Sequence, residues 1–131
     1  MKDNALIYEY AVVRYVPHVE REEFINVGLL MMCKRHKWLR CAISIDHERI
    51  KAFDNGTDFE LLHKQLKMFE NSSTALVECT VEERFRWLSA VKSSSLQTSR
   101  PHPGLIDADT SENPGNQLEA TFDRLFADLV L

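Results

Sequence analysis

The stretch RYVPHVEREEFINVGLLMMC, residues 14–33, decides how this chain folds. An apolar segment ends at Pro17, a charged connection follows, and a second apolar segment carries Asn26 and Gly28 near its start. Proline has no N–H to donate to a strand ladder, so the first strand should end there. The stretch therefore predicts two core strands joined by a charged connection, a junction at which a binding site could be built.

The strands of the predicted sheet extend on both sides of this junction. Residues 5–16 are nearly continuous in apolar character, which is typical of a central strand covered on both faces. Residues 24–33 and 38–45 are predicted to be the second and third strands, joined by the basic turn at residues 34–37. Residues 96–100 alternate in polarity and are predicted to add a polar strand. A period of two places the following residues on one face of the first strand: Leu6, Tyr8, Tyr10, Val12 and Arg14.

Helical spacing and capping residues predict the helices. Their predicted positions are residues 46–53, 57–70, about 80–92 and about 116–130. The first helix should turn Ile50 and Phe53 inward. Thr57 and Thr80 each precede a glutamate by three residues, which is the capping-box pattern of a helix start. The polar run at residues 71–74 is predicted to break the second helix.

Two segments lack a regular pattern. Residues 75–79 fit either a short strand or an extended linker. Residues 101–117 contain three prolines and two glycines, which predicts a mobile loop. The whole pattern predicts a single α+β domain over residues 1–131, an antiparallel sheet of three or four strands with three or four helices packed on it.

The charge of the chain limits its partners. The 131 residues include 16 lysines and arginines and 20 aspartates and glutamates, a net charge of -4. This balance gives no global attraction to nucleic acid or to an anionic membrane, so any polyanion site must be local. The turn at residues 34–37, with Trp38 and Arg40, could contact nucleic acid by charge and stacking, although such tips are usually only solvated.

Cysteine usage and the absence of motifs indicate a cytoplasmic protein without metal or cofactor. Cys33, Cys41 and Cys79 show no Cys-x-x-Cys spacing and lie in apolar or strand-like runs, as reduced, buried thiols do. Glu9 and Arg14 interrupt the first apolar segment, so neither a signal peptide nor a membrane span is predicted. The histidines are scattered, and the sequence has no glycine-rich phosphate loop and no Gly-x-Ser-x-Gly, so no catalytic residue is predicted.

Two arginines stand out because they belong to apolar faces. A helical wheel places Arg84 inside an apolar arc, and Arg14 ends the apolar face of the first strand. The arc is formed by these residues: Val81, Phe85, Trp87, Leu88 and Val91. A buried guanidinium requires a partner, and the internal candidates are Glu20, Glu22 and Glu23. The alternative to such structural pairing is that both arginines converge on a phosphate or carboxylate.

Further polar candidates lie beside these arginines. Asn26 and Gly28 either mark a β-bulge or form a wall that faces a ligand. The segment SLQTSRPHPG, residues 95–104, concentrates hydroxyl, amide, guanidinium and imidazole groups suited to anion binding or proton transfer. No nucleophile–base pair is visible in it.

Three blocks carry a resemblance to a known family. They are YEYAVVRYVPHVEREEFINVGLLMMC at residues 8–33, ERFRWLSAVKSSSLQTSRPHPGL at residues 83–105 and FDRLFADLVL at residues 122–131. These blocks resemble the bacterial family called domain of unknown function 3037. The resemblance implies a stand-alone cytoplasmic protein, often encoded beside a HipA-type kinase, and implies no catalytic residue. The blocks contain the candidate ligand-binding residues: Arg14, Arg21, Asn26, Arg84, Gln97, Ser99, Arg100 and His102.

Two functions are consistent with these features. The favoured one is a non-catalytic binding or regulatory module that acts with a partner protein, for which the resemblance implies a HipA-type kinase. The alternative is a protein that binds or processes phosphate, nucleotide or nucleic acid in an arginine-lined pocket. That pocket would be formed by these residues: Arg14, Arg84, Asn26, Gln97 and Arg100. Free sheet edges permit a homodimer without specifying one.

Overall fold

A computed structural model of the chain describes residues 5–75, 78–90, 95–107 and 112–131. It confirms the α+β class, with five antiparallel strands and four helices in the described residues. The strands are β1 (Leu6–Tyr15), β2 (Ile25–Cys33), β3 (Trp38–Ile43), β4 (Leu96–Thr98) and β5 (His102–Ile106). The helices are α1 (His47–Phe53), α2 (Phe59–Ala75), α3 (Val81–Leu88) and α4 (Pro114–Leu129), with a 3-10 turn at Val19–Arg21.

Strand β1 is the centre of the sheet. It pairs along one edge with β2, which in turn pairs with β3. Its other edge is shared by two short strands, β5 opposite the first half and β4 opposite the second half. A strand with neighbours on both edges and helices on both faces needs apolar side chains in both directions, which explains the continuous apolar run in its sequence.

A β-bulge interrupts the pairing of β1 with β2. Val13 lies opposite Gly28 but Arg14 lies opposite Asn26, so Val27 is the extra residue on β2. The bulge places Val27 on the face of the sheet that contains Val13 and turns the Asn26 side chain to the face that carries Arg14. Of the two interpretations of Asn26 and Gly28, the bulge is the one that the structure confirms.

The helices cover the two faces of the sheet. Helix α4 packs Leu118 and Phe122 on the face that contains Val12. The opposite face, which contains Val13, is covered by the other three helices. They contribute these buried residues: Ile50 from α1, Leu62 and Leu66 from α2, and Val81, Phe85 and Leu88 from α3.

The cap predictions hold for α1 and α3 but not for α2. Asp46 accepts a hydrogen bond from the Arg49 N–H, and Thr80 forms the predicted capping box of α3. In α2 the cap is Asp58, whose Oδ1 accepts from the Leu61 N–H at 3.1 Å. Thr57 instead bonds the carbonyl of Asp54, so it closes the preceding turn.

Helix α2 also passes through the polar run that was predicted to break it. Ser72, Ser73 and Thr74 donate their hydroxyls to carbonyls three or four residues earlier in the same helix. The hydroxyls therefore bond within the helix and do not replace it with a turn. The undecided segment at 75–79 begins inside α2 and ends in a turn at residues 78–79, while residues 76–77 lie outside the described part.

Three further predictions were wrong. Phe53 and Trp87 were assigned to buried faces, yet both are exposed. Helix α3 ends at Leu88, before the predicted residue 92, which lies outside the described residues. The segment at 101–117, predicted to lack regular structure, contains strand β5 and the first turn of α4, while its predicted mobility stays a prediction. Pro103 misled the prediction, because among the described residues β5 pairs with β1 alone, and an edge strand tolerates a residue without an N–H.

The cysteines are free thiols, as predicted. Cys33 is buried as predicted, whereas Cys41 and Cys79 are half-buried, so the burial predicted for these two was wrong. Burial raises the pKa of Cys41 to about 12, with a smaller contribution from the charge of Glu70, so this thiol stays protonated near neutral pH. None of the described helices combines the length and the apolar character that crossing a membrane requires.

The bulge geometry predicts that Gly28→Ala destabilises the protein. A Cβ at residue 28 would lie 2.9 Å from the carbonyl oxygen of Ala42 and 3.2 Å from the Val13 Cβ. Because backbone cannot yield as a side chain can, we expect a loss of about 1–3 kcal/mol in the free energy of unfolding, measured by urea denaturation. The control is Gly56→Ala, which has only Asp54 Oδ1 nearby at 4.0 Å and should stay within about 0.5 kcal/mol.

Candidate anion-binding site

Three polar side chains form a row across the middle of the sheet. Arg14 lies opposite Asn26 of β2 on one side and opposite Gln97 of β4 on the other. Cross-strand partners point to the same face of a sheet, so the three residues share the face on which α4 packs. The row exists because of the bulge, which brings Asn26 into register with Arg14.

Asn26 connects this row to the end of α4. Its Nδ2 donates to the carbonyl oxygen of Leu129 at 2.9 Å. The last carbonyls of a helix lack partners within the helix, so this bond satisfies one of them. The Asn26 Oδ1 is buried and accepts no hydrogen bond from the described residues.

Arg14 is a half-buried cation without a carboxylate partner in the described part of the chain. Its guanidinium carbon lies 4.0 Å from the centre of the Phe24 ring. Its Nε is buried and donates to no described residue. Desolvation by burial lowers the pKa of the guanidinium, which remains charged at physiological pH. This combination is unusual because most buried charges are paired.

A comparison with Arg40 shows how unusual it is. The Arg40 guanidinium also lies over a phenylalanine, 4.2 Å from the Phe122 ring centre. Arg40 additionally pairs with Glu119 at 2.6 Å and with Asp123 at 2.9 Å. Its stacking is therefore accompanied by ion pairs, whereas that of Arg14 is accompanied by none to the described residues.

The Arg14 side chain opens into a small cleft. The cleft has a volume of about 270 Å³ and is lined by these residues: Arg14, Val16, Val19, Glu22, Phe24 and Gln97. Its far wall is the connection between β1 and β2, in which a 3-10 turn ends at Glu22. Glu22 has a φ of 56°, a left-handed conformation that turns the chain back toward Phe24 and β2.

Two of the three carboxylates that were expected to pair with the arginines lie beside other side chains. Glu20 lies 3.8 Å from the imidazole of His18, and Glu23 lies 3.1 Å from the Nε of Arg21. Glu22 lines the cleft, but no ion pair joins it to Arg14. The structural pairing predicted for Arg14 is therefore not formed within the described residues.

Arg84 does not converge with Arg14. It belongs to α3, which packs on the opposite face of the sheet. Its Nη1 donates to the carbonyl oxygen of Ser73 at 2.9 Å, in the last turn of α2, where a cation is favoured by the helix dipole. A larger cleft of about 540 Å³ beside it is lined by Lys34, Glu78 and Glu82 among others, and Lys34 pairs with Glu82 at 3.2 Å.

The remaining predicted site residues are spread along the same edge of the sheet. Ser99 is buried, and its Oγ accepts from the Val12 N–H and donates to the Arg100 carbonyl, so its hydroxyl serves the backbone. Arg100 is exposed. His102 is exposed on β5 and lies against the Tyr10 ring, with the ring centres 5.3 Å apart. The structure does not bring these three residues to the Arg14 cleft, which they do not line.

Comparison with known proteins places the chain in a family and leaves the function open. The chain is a small α+β protein in which a five-stranded antiparallel sheet is covered on both faces. It belongs to the family described as protein of unknown function, DUF3037, whose model matches residues 10–130. Neither the curated proteins nor the solved structures include a match to it.

The geometry of this row predicts that Arg14→Met stabilises the fold. Removing an unpartnered buried donor relieves a cost of about 1–3 kcal/mol. Losing the stacking on Phe24 costs about 0.5–1 kcal/mol. We therefore expect the free energy of unfolding to rise by about 1 kcal/mol, measured by urea denaturation.

The matched control is Arg40→Met, which removes an arginine of similar stacking but with two carboxylate partners. It should lower the free energy of unfolding, because it leaves Glu119 and Asp123 without their cation. A loss of stability at Arg14 as large as that at Arg40 would show that Arg14 is structural.

Proposed function

We propose that this protein is a non-catalytic binding module that holds one small anionic group, a phosphate or a carboxylate, at Arg14. The observation that supports it is the half-buried guanidinium of Arg14, which opens into a cleft and pairs with no carboxylate among the described residues. The proposal keeps Arg14 and Gln97 of the predicted arginine-lined pocket and omits Arg84.

The chemistry of the cleft favours an anion. A guanidinium presents its N–H groups along the edges of a flat fork and bonds the oxygens of phosphate or carboxylate in pairs. Stacking on Phe24 fixes the plane of that fork, so less freedom is lost on binding. Partial burial strengthens the attraction, because the effective dielectric constant is lower than in bulk water.

The size of the cleft favours a small group. Sites that enclose a whole drug-sized ligand have volumes of about 300–1,000 Å³. The cleft at Arg14, with about 270 Å³, is below that range. It therefore suits a single phosphate or carboxylate group, either free or at the end of a larger molecule that extends into solvent.

Glu22 is the residue that limits affinity. It lines the same cleft as Arg14, and its carboxylate repels an incoming anion. A like charge a few ångströms away costs about 1 kcal/mol in a water-like environment, which corresponds to about a fivefold loss of affinity.

We predict that inorganic phosphate and acetate, titrated separately at constant ionic strength, shift the NMR signals of the Arg14 Nε–H and the Gln97 amide. In the variants that lack the guanidinium, the Gln97 amide reports binding. Arg14→Met should abolish its shift, and Arg14→Lys should weaken binding about tenfold, because an ammonium cannot bond in pairs. Glu22→Gln should strengthen binding about fivefold, because it removes the repulsion. The stronger of the two ligands identifies the group that the cleft prefers.

The control is Arg21→Gln, which removes an exposed arginine of the same connection that is paired with Glu23 and does not line the cleft. Its binding should equal that of the unchanged protein. Equal shifts in Arg14→Met and in the unchanged protein would refute the proposal, as would the absence of any shift at Arg14.

A second candidate is the regulatory module that acts with a partner protein. The observation that favours it is an apolar patch, formed by Ile7 of β1 and Leu105 of β5, which lie opposite each other with 68% and 65% of their surfaces exposed. Neighbouring exposed apolar residues of this size are typical of protein contacts. The partner that the family resemblance implies is a HipA-type kinase.

If that kinase docks on this patch, Leu105→Asp should reduce its co-purification with the protein at least tenfold, because a charge would be desolvated in the interface. The control is Met68→Glu, which changes an equally exposed apolar residue on α2 and should have no effect. Equal co-purification of both variants with the kinase, or none with the unchanged protein, would contradict this role.

A further inference from the structure

Two histidines that are far apart in sequence meet on the surface of helices α1 and α2. The Nε2 atoms of His47 and His63 lie 3.0 Å apart, and both side chains are accessible to solvent. Their ring centres are 5.0 Å apart with 31° between the ring planes, so the two rings meet through their Nε2 edges. The pair lies outside the Arg14 cleft and plays no part in its chemistry.

The fold holds these rings in place. His47 is the first residue of α1, directly after the cap residue Asp46. Its ring packs on Phe59 with the centres 4.6 Å apart, and Phe59 packs in turn on the core beneath α2. His63 follows one turn later in α2. Both imidazoles thus stand on helices whose inner faces are buried, which reduces the cost of ordering them for a ligand.

The distance between the two nitrogens fits a shared metal ion. Imidazole nitrogens bind transition metals at about 2.1 Å. Two nitrogens that are 3.0 Å apart then subtend an angle of about 90° at the metal. This is the angle between neighbouring ligands in square-planar or octahedral coordination, as Cu²⁺ and Ni²⁺ prefer, whereas tetrahedral zinc requires nitrogens about 3.4 Å apart.

We propose that His47 and His63 form a surface site for Cu²⁺ or Ni²⁺, with both Nε2 atoms as ligands. No cluster of three or more histidine, cysteine, aspartate or glutamate side chains suited to a metal exists among the described residues. The other coordination positions therefore belong to water or to a donor from a second molecule. Such a site is open and exchangeable, in contrast to the closed sites that stabilise small domains.

The test uses the full chain without a histidine tag. Titration calorimetry with NiCl₂ should give one bound ion per chain, and His47→Gln and His63→Gln should each reduce the affinity at least tenfold, because one ligand of a chelating pair is lost. His36→Gln is the matched control, since His36 is exposed in the turn between β2 and β3 and should leave the affinity unchanged.

Pulsed electron paramagnetic resonance of the Cu²⁺ form gives a second measurement that does not depend on the variants. The spectrum of the unchanged protein should show two coordinated imidazoles, and that of either variant only one. Binding of equal strength in the unchanged protein and in His63→Gln would overturn the proposal, as would a spectrum with fewer than two imidazoles. In that event the two rings share only the hydrogen bond in which one neutral imidazole donates to the other.

Discussion

The β-bulge at Val27, the extra residue on β2, is the constraint that decides which polar side chains lie side by side on the sheet. Strand β1 has neighbours on both edges and helices on both faces, so almost every side chain of it must be apolar. The bulge keeps the face that contains Val13 apolar, because Val27 joins the core on that face. It also shifts the register by one residue, which places Asn26 beside Arg14 on the α4 face. Without the extra residue, Asn26 would point into the core beneath α2.

The same bulge fixes the end of α4. Asn26 donates to the carbonyl of Leu129, and Arg49 of α1 donates to the carbonyl of Val130 at 3.3 Å. Two elements from different parts of the sequence thus satisfy the last carbonyls of one helix. Arg14, between Asn26 and Gln97, receives no comparable partner from the described residues. Polar groups therefore anchor α4, while Arg14 lacks a carboxylate partner among the described residues, and this difference is what supports the proposed ligand at Arg14.

Local patterns predicted the local structure well. The apolar runs located β1, β2 and β3, and Asp46 and Thr80 marked the starts of α1 and α3. The predictions that failed concern features that depend on residues distant in sequence. Strand β5 contains Pro103, and a proline is acceptable in this strand because β5 pairs with β1 at an edge of the sheet. The hypothesis that Arg14 and Arg84 converge was wrong. The alternation of residues along a strand assigns them to the two faces of the sheet, but it does not show which face a given helix covers. The stacking of Arg14 on Phe24 and the His47–His63 contact each join separate elements, so no regular spacing in the sequence indicates them.

Net charge and local chemistry act at different distances, which reconciles an acidic chain with the anion site that we propose at Arg14. At physiological salt the Debye length is about 8 Å, so the charge of -4 spread over the surface contributes little inside a small cleft. There the balance is set by Arg14 and Glu22, one charge of each sign, together with the partial burial of the guanidinium. A long polyanion would extend beyond the cleft onto the surface of a chain whose net charge is -4, and would gain no general attraction there. A single phosphate or carboxylate meets only the local field. Its binding therefore depends on the positions of the Arg14 and Glu22 side chains more than on the composition of the chain.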